Sequence, residues 1–251
     1  MAGHPPVEAY DELDSTNAEA RRRAEAGEAG PVWITALTQT AGHGRRGRPW
    51  TTSTGNLAAT LLMTTDKPPV EAAQLSFVAA LAAAELALTC IGPGAARLKW
   101  PNDVMVHGRK AVGILIESGT RADGTIWLAV GIGINLAEAP TDVERPATSF
   151  AEHMASPPPA PLDALEILAA RFEHWRTLWA EEGFAPIARG WTENAQGLGQ
   201  PCEARLPNQT LRGIAEGLDP DGALRLRLDD GAVMRITAGD VFFGGPDAAG
   251  H

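Results

Sequence analysis

The chain has 251 residues, 44% hydrophobic and 21% charged, with a formal net charge of −10. That is enough apolar side chain for one substantial core, or a large domain with a small appended one, and it argues against disorder. The acidic balance argues against a general nucleic-acid binder, which needs a basic face to release counterions. Cys90 and Cys202 stand far apart without CxxC or Cys/His spacing, so neither a disulfide framework nor a zinc site is expected, and a reducing, cytoplasmic compartment fits.

Met1 to Tyr10 has no basic n-region and no apolar h-region, so no signal peptide is expected. Asp14-Ser15-Thr16-Asn17 before Ala18 to Ala24 reads as a capped helix start, because short polar side chains accept from the free N–H groups of a first turn. Gly27 and Gly30 end that helix, and Val32 to Leu37 reads as a strand. The run Gly42-His43-Gly44-Arg45-Arg46-Gly47-Arg48-Pro49-Trp50 follows, in a stretch from Ala29 to Thr65 that contains no Asp or Glu. Guanidinium forks fit carboxylate and phosphate, glycines let backbone N–H groups approach an oxyanion, and Trp50 offers a flat face. The segment therefore reads as a small-molecule anion site, with a basic surface turn as the plainer alternative.

Leu57 to Met63 reads as the next strand, and Gln74 to Cys90 as an apolar core helix, interrupted by Glu85 and so not expected to span a membrane. Three short strands in a meander are expected at Arg97 to Trp100, Lys110 to Glu117 and Thr125 to Ile134. Lys99-Trp100-Pro101-Asn102-Asp103 presents an amide beside a carboxylate, suited to a ribose, a metal-bound phosphate or an ordinary turn. Lys110 opens a strand whose Gly113 would let something flat lie against the sheet. Gly131-Ile132-Gly133-Ile134-Asn135 has two of the three glycines of a dinucleotide fingerprint and no following helix, so it reads as a strand beside a ligand. Ser156 to Pro161 is a Pro-rich linker, and Asp163 to Ala180 is a second helix with Leu165, Leu168, Phe172, Trp175 and Trp179 as core. Beyond Gly199, five short strands (Cys202 to Leu206, Leu211 to Leu218, Ala223 to Leu228, Val233 to Thr237, Val241 to Phe243) suggest a little barrel. The expected division is 1–198 and 199–251.

In order and spacing, Ser15-Thr16-Asn17, Gln39 with the glycine-arginine run, Lys99 to Asp103, Lys110 to Glu117 and Gly131 to Asn135 resemble the biotin protein ligases, strongly over Leu13 to Asn135 and weakly to the C-terminus. The resemblance implies an α+β catalytic domain with a mixed sheet, like class II aminoacyl-tRNA synthetases and lipoate ligases, followed by a small SH3-like β-barrel. It implies that biotin and ATP, with Mg²⁺, form biotinyl-5′-AMP, which then acylates one lysine of a biotin carboxyl carrier domain, acetyl-CoA carboxylase being the default acceptor.

Carried over by position, Ser15, Thr16, Asn17, Gln39, Gly42, His43, Gly44, Arg45, Lys110 and Gly113 would meet biotin. Arg45, Arg48, Trp50, Asn102 and Asn135 would meet ATP, and Arg45 and Lys110 would be catalytic. No direct protein ligand to the metal is implied. Homodimerisation is left open, because relatives differ. His43 departs from the family's usual arginine: if that position works through its backbone N–H little changes, and if through its side chain, affinity should become pH-sensitive near neutrality. Gly244 stands where relatives often carry arginine. Only fourteen residues precede Ser15, too few for a winged helix, so no repressor function is expected, and with the acidic charge and the lack of a span no nucleic acid or membrane partner is expected either. A lipoate or octanoate ligase of the same fold is the nearest alternative; a non-catalytic biotin or nucleotide sensor is another.

Overall fold

The computed structural model describes residues 4–141, 143 and 146–243. Strand β1 (Val7–Leu13) leads into helix α1 (Thr16–Glu25) and strand β2 (Val32–Gln39), with β1 and β2 parallel. Ser15 caps α1 from an extended backbone, its hydroxyl accepting from the Ala18 N–H. Then come β3 (Leu57–Thr65), the short α2 (Pro69–Ala72), α3 (Leu75–Ile91), β4 (Ala96–Lys99), β5 (Asp103–Val106), β6 (Arg109–Thr120) and β7 (Ile126–Ile134). Seven strands form one mixed sheet in the order β1-β2-β3-β7-β6-β5-β4, antiparallel except for the first pair. Helices α4 (Pro161–Glu182) and α5 (Phe184–Glu193) follow, then β8 (Pro201–Arg205), β9 (Thr210–Leu218), β10 (Leu224–Arg227), β11 (Val233–Ile236) and β12 (Asp240–Phe243).

The large sheet is covered on both faces. Along β2, alternation sends Trp33 into the main core with Leu61 of β3, α3 and Phe172 of α4, while Val32 and Ile34 turn to a smaller cluster with Ala20 and Ala24 of α1, Leu62 and Trp127. Helix α3, joined to α2, is long and apolar enough to cross a membrane by length and composition, but most of that stretch is buried inside this core. Phe172 and Trp179 are core side chains as expected.

Four strands, β4 to β7, stand where a three-strand meander is expected. Asp103 to Val106 was hidden because a turn at Trp100 to Asn102 leads straight into it, so a short apolar run looks like the tail of the turn. The five C-terminal strands make one antiparallel sheet, β11-β10-β9-β8-β12, whose ladder is open at β11 and β12 rather than closed. Its inward side chains, Cys202, Ala204, Ala215, Leu224, Leu226, Ile236 and Val241, continue the main core, and Trp100 donates its indole N–H to the Gly222 carbonyl at 3.1 Å. Gly244 lies outside the described residues.

Just before the cap, Asp14 accepts two 2.8 Å bonds from Arg22, and that guanidinium holds its carboxyl down at about 2 against an ordinary 3.8. A depressed carboxylate stabilises the fold above its unfolded pKa and loses that contribution as pH falls toward the folded one. The pair is about half exposed, so its worth is at most about 1 kcal/mol. The urea midpoint of Asp14→Asn should therefore sit slightly below that of the parent at pH 7 and converge on it between pH 4 and pH 2.

Candidate functional site

The face of the large sheet that carries α1 is stripped of side chains at its centre. Thr60 of β3 pairs with Gly131 of β7, Ala58 with Gly133, and Gly133 with Gly113 of β6. A cavity of about 370 Å³ opens over this floor, a size suited to a small ligand. Its walls come from the start of α1, the glycine-arginine loop, the Trp100 to Asp103 turn, Lys110, Asn135 and Asp240 of β12.

At one end lies a cluster of neutral hydrogen-bonding groups. The Gln39 carbonyl oxygen accepts from the Thr16 N–H at 2.8 Å and from the Thr16 hydroxyl at 3.2 Å, while the Gln39 amide donates to Thr52 at 3.0 Å. Thr60 has its hydroxyl 2.8 Å from that of Thr16 and 2.7 Å from the Asn17 amide oxygen, and Asn17 in turn donates to Glu117 at 2.8 Å. Asn17 rests on Gly131, where a Cβ would come within 2.1 Å of its amide oxygen. Gly131→Ala should therefore displace Asn17 and strip a buried polar contact from this end, worth about 1–3 kcal/mol. Isothermal titration should show the ligand of this end bound roughly tenfold to a hundredfold more weakly, with the fold retained.

At the other end stand the cations. Lys110 Nζ is 2.6 Å from the buried carboxylate of Asp103, which keeps the ammonium aimed across the cavity. Arg46 and Arg48 both pair at 3.1 Å with Asp240, so two of the three loop arginines find a carboxylate that lies nearly two hundred residues away in sequence. Arg45 is different. Its guanidinium reaches only neutral acceptors among the described residues, the Asn102 side chain at 3.4 Å and the Gly239 carbonyl at 3.3 Å, and burial lowers its pKa. Arginine remains charged even so. A half-buried cation with long, neutral contacts is a place for an anion.

Something flat does lie on Gly113 and Gly133, and it is the indole of Trp50: a Cβ at Gly133 would come within 2.4 Å of that ring, and one at Gly113 within 2.8 Å. Lys110 Nζ lies 5.6 Å from the centre of the same ring. Gly42 stands outside the cavity wall. It admits the chain crossing of the loop, its carbonyl accepting from the Trp50 N–H at 2.9 Å where a Cβ would meet the Trp50 carbonyl at 2.6 Å. His43 bridges to Pro49 and sets Nε2 3.8 Å from Glu117. Asn102 donates to the Ile114 carbonyl, and the buried Asn135 donates its amide to the Thr148 carbonyl at 3.1 Å.

The cavity thus brings together Ser15, Thr16, Asn17, Gln39, His43, Gly44, Arg45, Arg48, Trp50, Asn102, Lys110, Gly113 and Asn135. Sequence reasoning missed Asp103 as the partner of Lys110, Thr60, Glu117 and Asp240. Of these only Asp103 carried a signal, its place within the Pro-Asn-Asp turn. The described residues contain no group of three or more His, Cys, Asp or Glu that could hold a metal ion.

Residues 12–135 match the model of the biotin/lipoate A/B protein ligase family, and residues 197–244 that of the biotin protein ligase C-terminal domain. A biotin–[acetyl-CoA-carboxylase] ligase of Paracoccus denitrificans is 45% identical over 245 residues, covering 92% of this chain and 98% of the relative. The bifunctional ligase/repressor BirA of Escherichia coli is 30% identical over 233 residues, 91% of this chain and 71% of that protein. Among solved structures, the biotin protein ligase from Aquifex aeolicus in complex with biotin and ATP superposes with a TM-score of 0.82 at 24% identity, covering 97% of this chain and all of the other.

Proposed function

The chain belongs to the biotin protein ligase family, and from that premise we propose that it activates biotin as biotinyl-5′-AMP and transfers it to a lysine of a biotin carboxyl carrier domain. It is an enzyme that attaches biotin to acetyl-CoA carboxylase, with ATP as the second substrate. The observation that carries the adenylate reading is the pairing, in one cavity, of a neutral hydroxyl-and-amide end with an end that holds Lys110 and Arg45, whose hydrogen bonds among the described residues go to neutral acceptors.

The neutral end suits a ureido ring. Ser15, Thr16, Asn17 and Gln39 already form an ordered set of donors and acceptors there, so little rearrangement is needed on binding. The valerate carboxylate of biotin would then point toward Lys110. In the first step one carboxylate oxygen attacks the α-phosphorus of ATP, the bond to the β-phosphate breaks, and pyrophosphate leaves. Two anions must meet for this, and Lys110 and Arg45 supply fixed positive charge where negative charge gathers. Mg²⁺ enters as part of the nucleotide substrate. Asp103 and Asp240 are each already held by cations, so Mg²⁺ would be held mainly by the nucleotide itself, where it would offset phosphate charge. Asn102, Asn135, Arg48 and Trp50, which line the same cavity, would meet the nucleotide. In the second step the carrier lysine, as free amine, attacks the acyl carbon and AMP leaves.

The division at 198/199 assigns substrate binding to the first unit and anchorage of the glycine-arginine loop, through Asp240, to the second. Pyrophosphate exchange into ATP, with biotin, lipoate and octanoate in turn, tests the reading. Exchange with biotin alone is expected; exchange with lipoate instead would move the assignment to the lipoate ligases.

A further inference from the structure

Lys110 does not stand alone on its strand. Its N–H donates to the Pro146 carbonyl at 3.0 Å and its carbonyl accepts from the Thr148 N–H at 2.9 Å, so residues 146–148 run beside it as a short parallel strap. The same strap accepts the Asn135 amide through the Thr148 carbonyl, and the Phe150 N–H donates to the Asn135 carbonyl at 2.9 Å. Two residues that line the cavity, Lys110 and Asn135, are therefore set by one piece of backbone.

What fixes the strap is a polar knot behind it, on the side away from the cavity. The hydroxyl of the fully buried Thr148 lies 2.8 Å from His153 Nε2, and Arg109 Nη2 lies 3.4 Å from the same nitrogen. Arg109 also pairs at 2.8 Å with Glu152, whose carboxylate accepts from the Ser149 N–H at 3.0 Å. Arginine has no acceptor atom, so its 3.4 Å approach to Nε2 favours the tautomer with the lone pair there, and in that tautomer Nε2 can accept from the Thr148 hydroxyl at 2.8 Å. In that tautomer His153 is neutral, with its proton on Nδ1.

We propose that His153 is a positioning residue for the adenylation step: as a neutral acceptor it ties Thr148 to Arg109, and through the strap it holds Lys110 and Asn135 in place. This rests on the ligase reading given above. Protonation would put an N–H on Nε2 facing a guanidinium and drive Arg109 away. The charged and titratable groups around the ring are His107, whose ring centre is 4.7 Å away, Arg109 and Glu152; of these only Glu152 favours the proton. Burial, His107 and Arg109 all lower the pKa of His153. The strap is then secured at neutral pH and released in mild acid, below the ordinary range of histidine.

His153→Gln keeps an acceptor and cannot titrate; His153→Leu removes the acceptor at every pH. In biotin-dependent pyrophosphate exchange, the ratio of kcat for His153→Gln to that of the parent should rise as pH falls from 8 to 5, reaching roughly twofold to tenfold. His153→Leu should lose roughly tenfold or more in kcat at all pH values, with the KM for biotin unchanged, and the Gln variant should restore it. A ratio constant with pH, or a Leu variant with parental kcat, overturns the proposal. If the parent shows no exchange with biotin at any pH, the ligase reading fails instead. Amide hydrogen exchange at Lys110 and Thr148 then decides: opening in acid that is absent from His153→Gln supports the positioning role, and equal opening overturns it.

Discussion

Lys110→Met should abolish most adenylation while leaving biotin bound. The side chain keeps its length and loses its charge, so what disappears is the fixed cation beside the attacking carboxylate. Removal of one such group from an enclosed site lowers kcat by about 10²–10³-fold. Pyrophosphate exchange at saturating biotin and ATP reads this directly. A second effect must be separated from it, because Asp103 is buried and Lys110 is its partner at 2.6 Å. Leaving that carboxylate unpaired costs stability. The double variant Lys110→Met/Asp103→Asn should recover the unfolding midpoint without recovering exchange. Recovery of exchange with stability would show that Lys110 acts only as a structural partner.

Arg45→Gly should slow adenylate formation and let a larger share of what is made escape. The arginine spans from the loop to Asn102 and to the Gly239 carbonyl of the C-terminal sheet, and so closes the loop across the cavity as well as supplying charge. Without it the loop loses that tie, and an acyl-adenylate is exposed to water and to stray amines. Biotinylation of bystander proteins such as serum albumin should rise at least about tenfold relative to the parent, while labelling of the carrier domain falls. Equal bystander labelling would remove Arg45 from the closing role.

The site was legible in the sequence where chemistry is concentrated in short motifs. The cap at Ser15, the charged loop, Lys110 and the glycines of β6 and β7 each announce themselves by residue type. Long-range partners did not. Asp240 meets Arg46 and Arg48 only because β12 is delivered to the loop by the second sheet, and nothing local to Asp240 distinguishes it from a turn carboxylate. Glu117 looked like the polar end of a strand, yet it anchors Asn17. Strand β1 escaped because Val7–Leu13 alternates weakly and sits at the sheet edge, where polar side chains face water. Helix α5 escaped because Pro186 and Gly190 interrupt its pattern, although Pro186 falls in its first turn, where proline is tolerated. Trp50 was read as a face for the nucleotide, and the structure lays its indole on the glycine floor.

That floor bears on how the pocket could be altered. At Gly113, Gly131 and Gly133 selectivity is written in missing atoms, and a position with no side chain has nothing left to remove. A bulkier acyl group cannot be admitted by trimming the floor, and any addition there strikes Asn17 or Trp50 first. Redesign of the ligand range is thereby confined to the walls, where Thr16 and Gln39 hold each other in place and must be changed together.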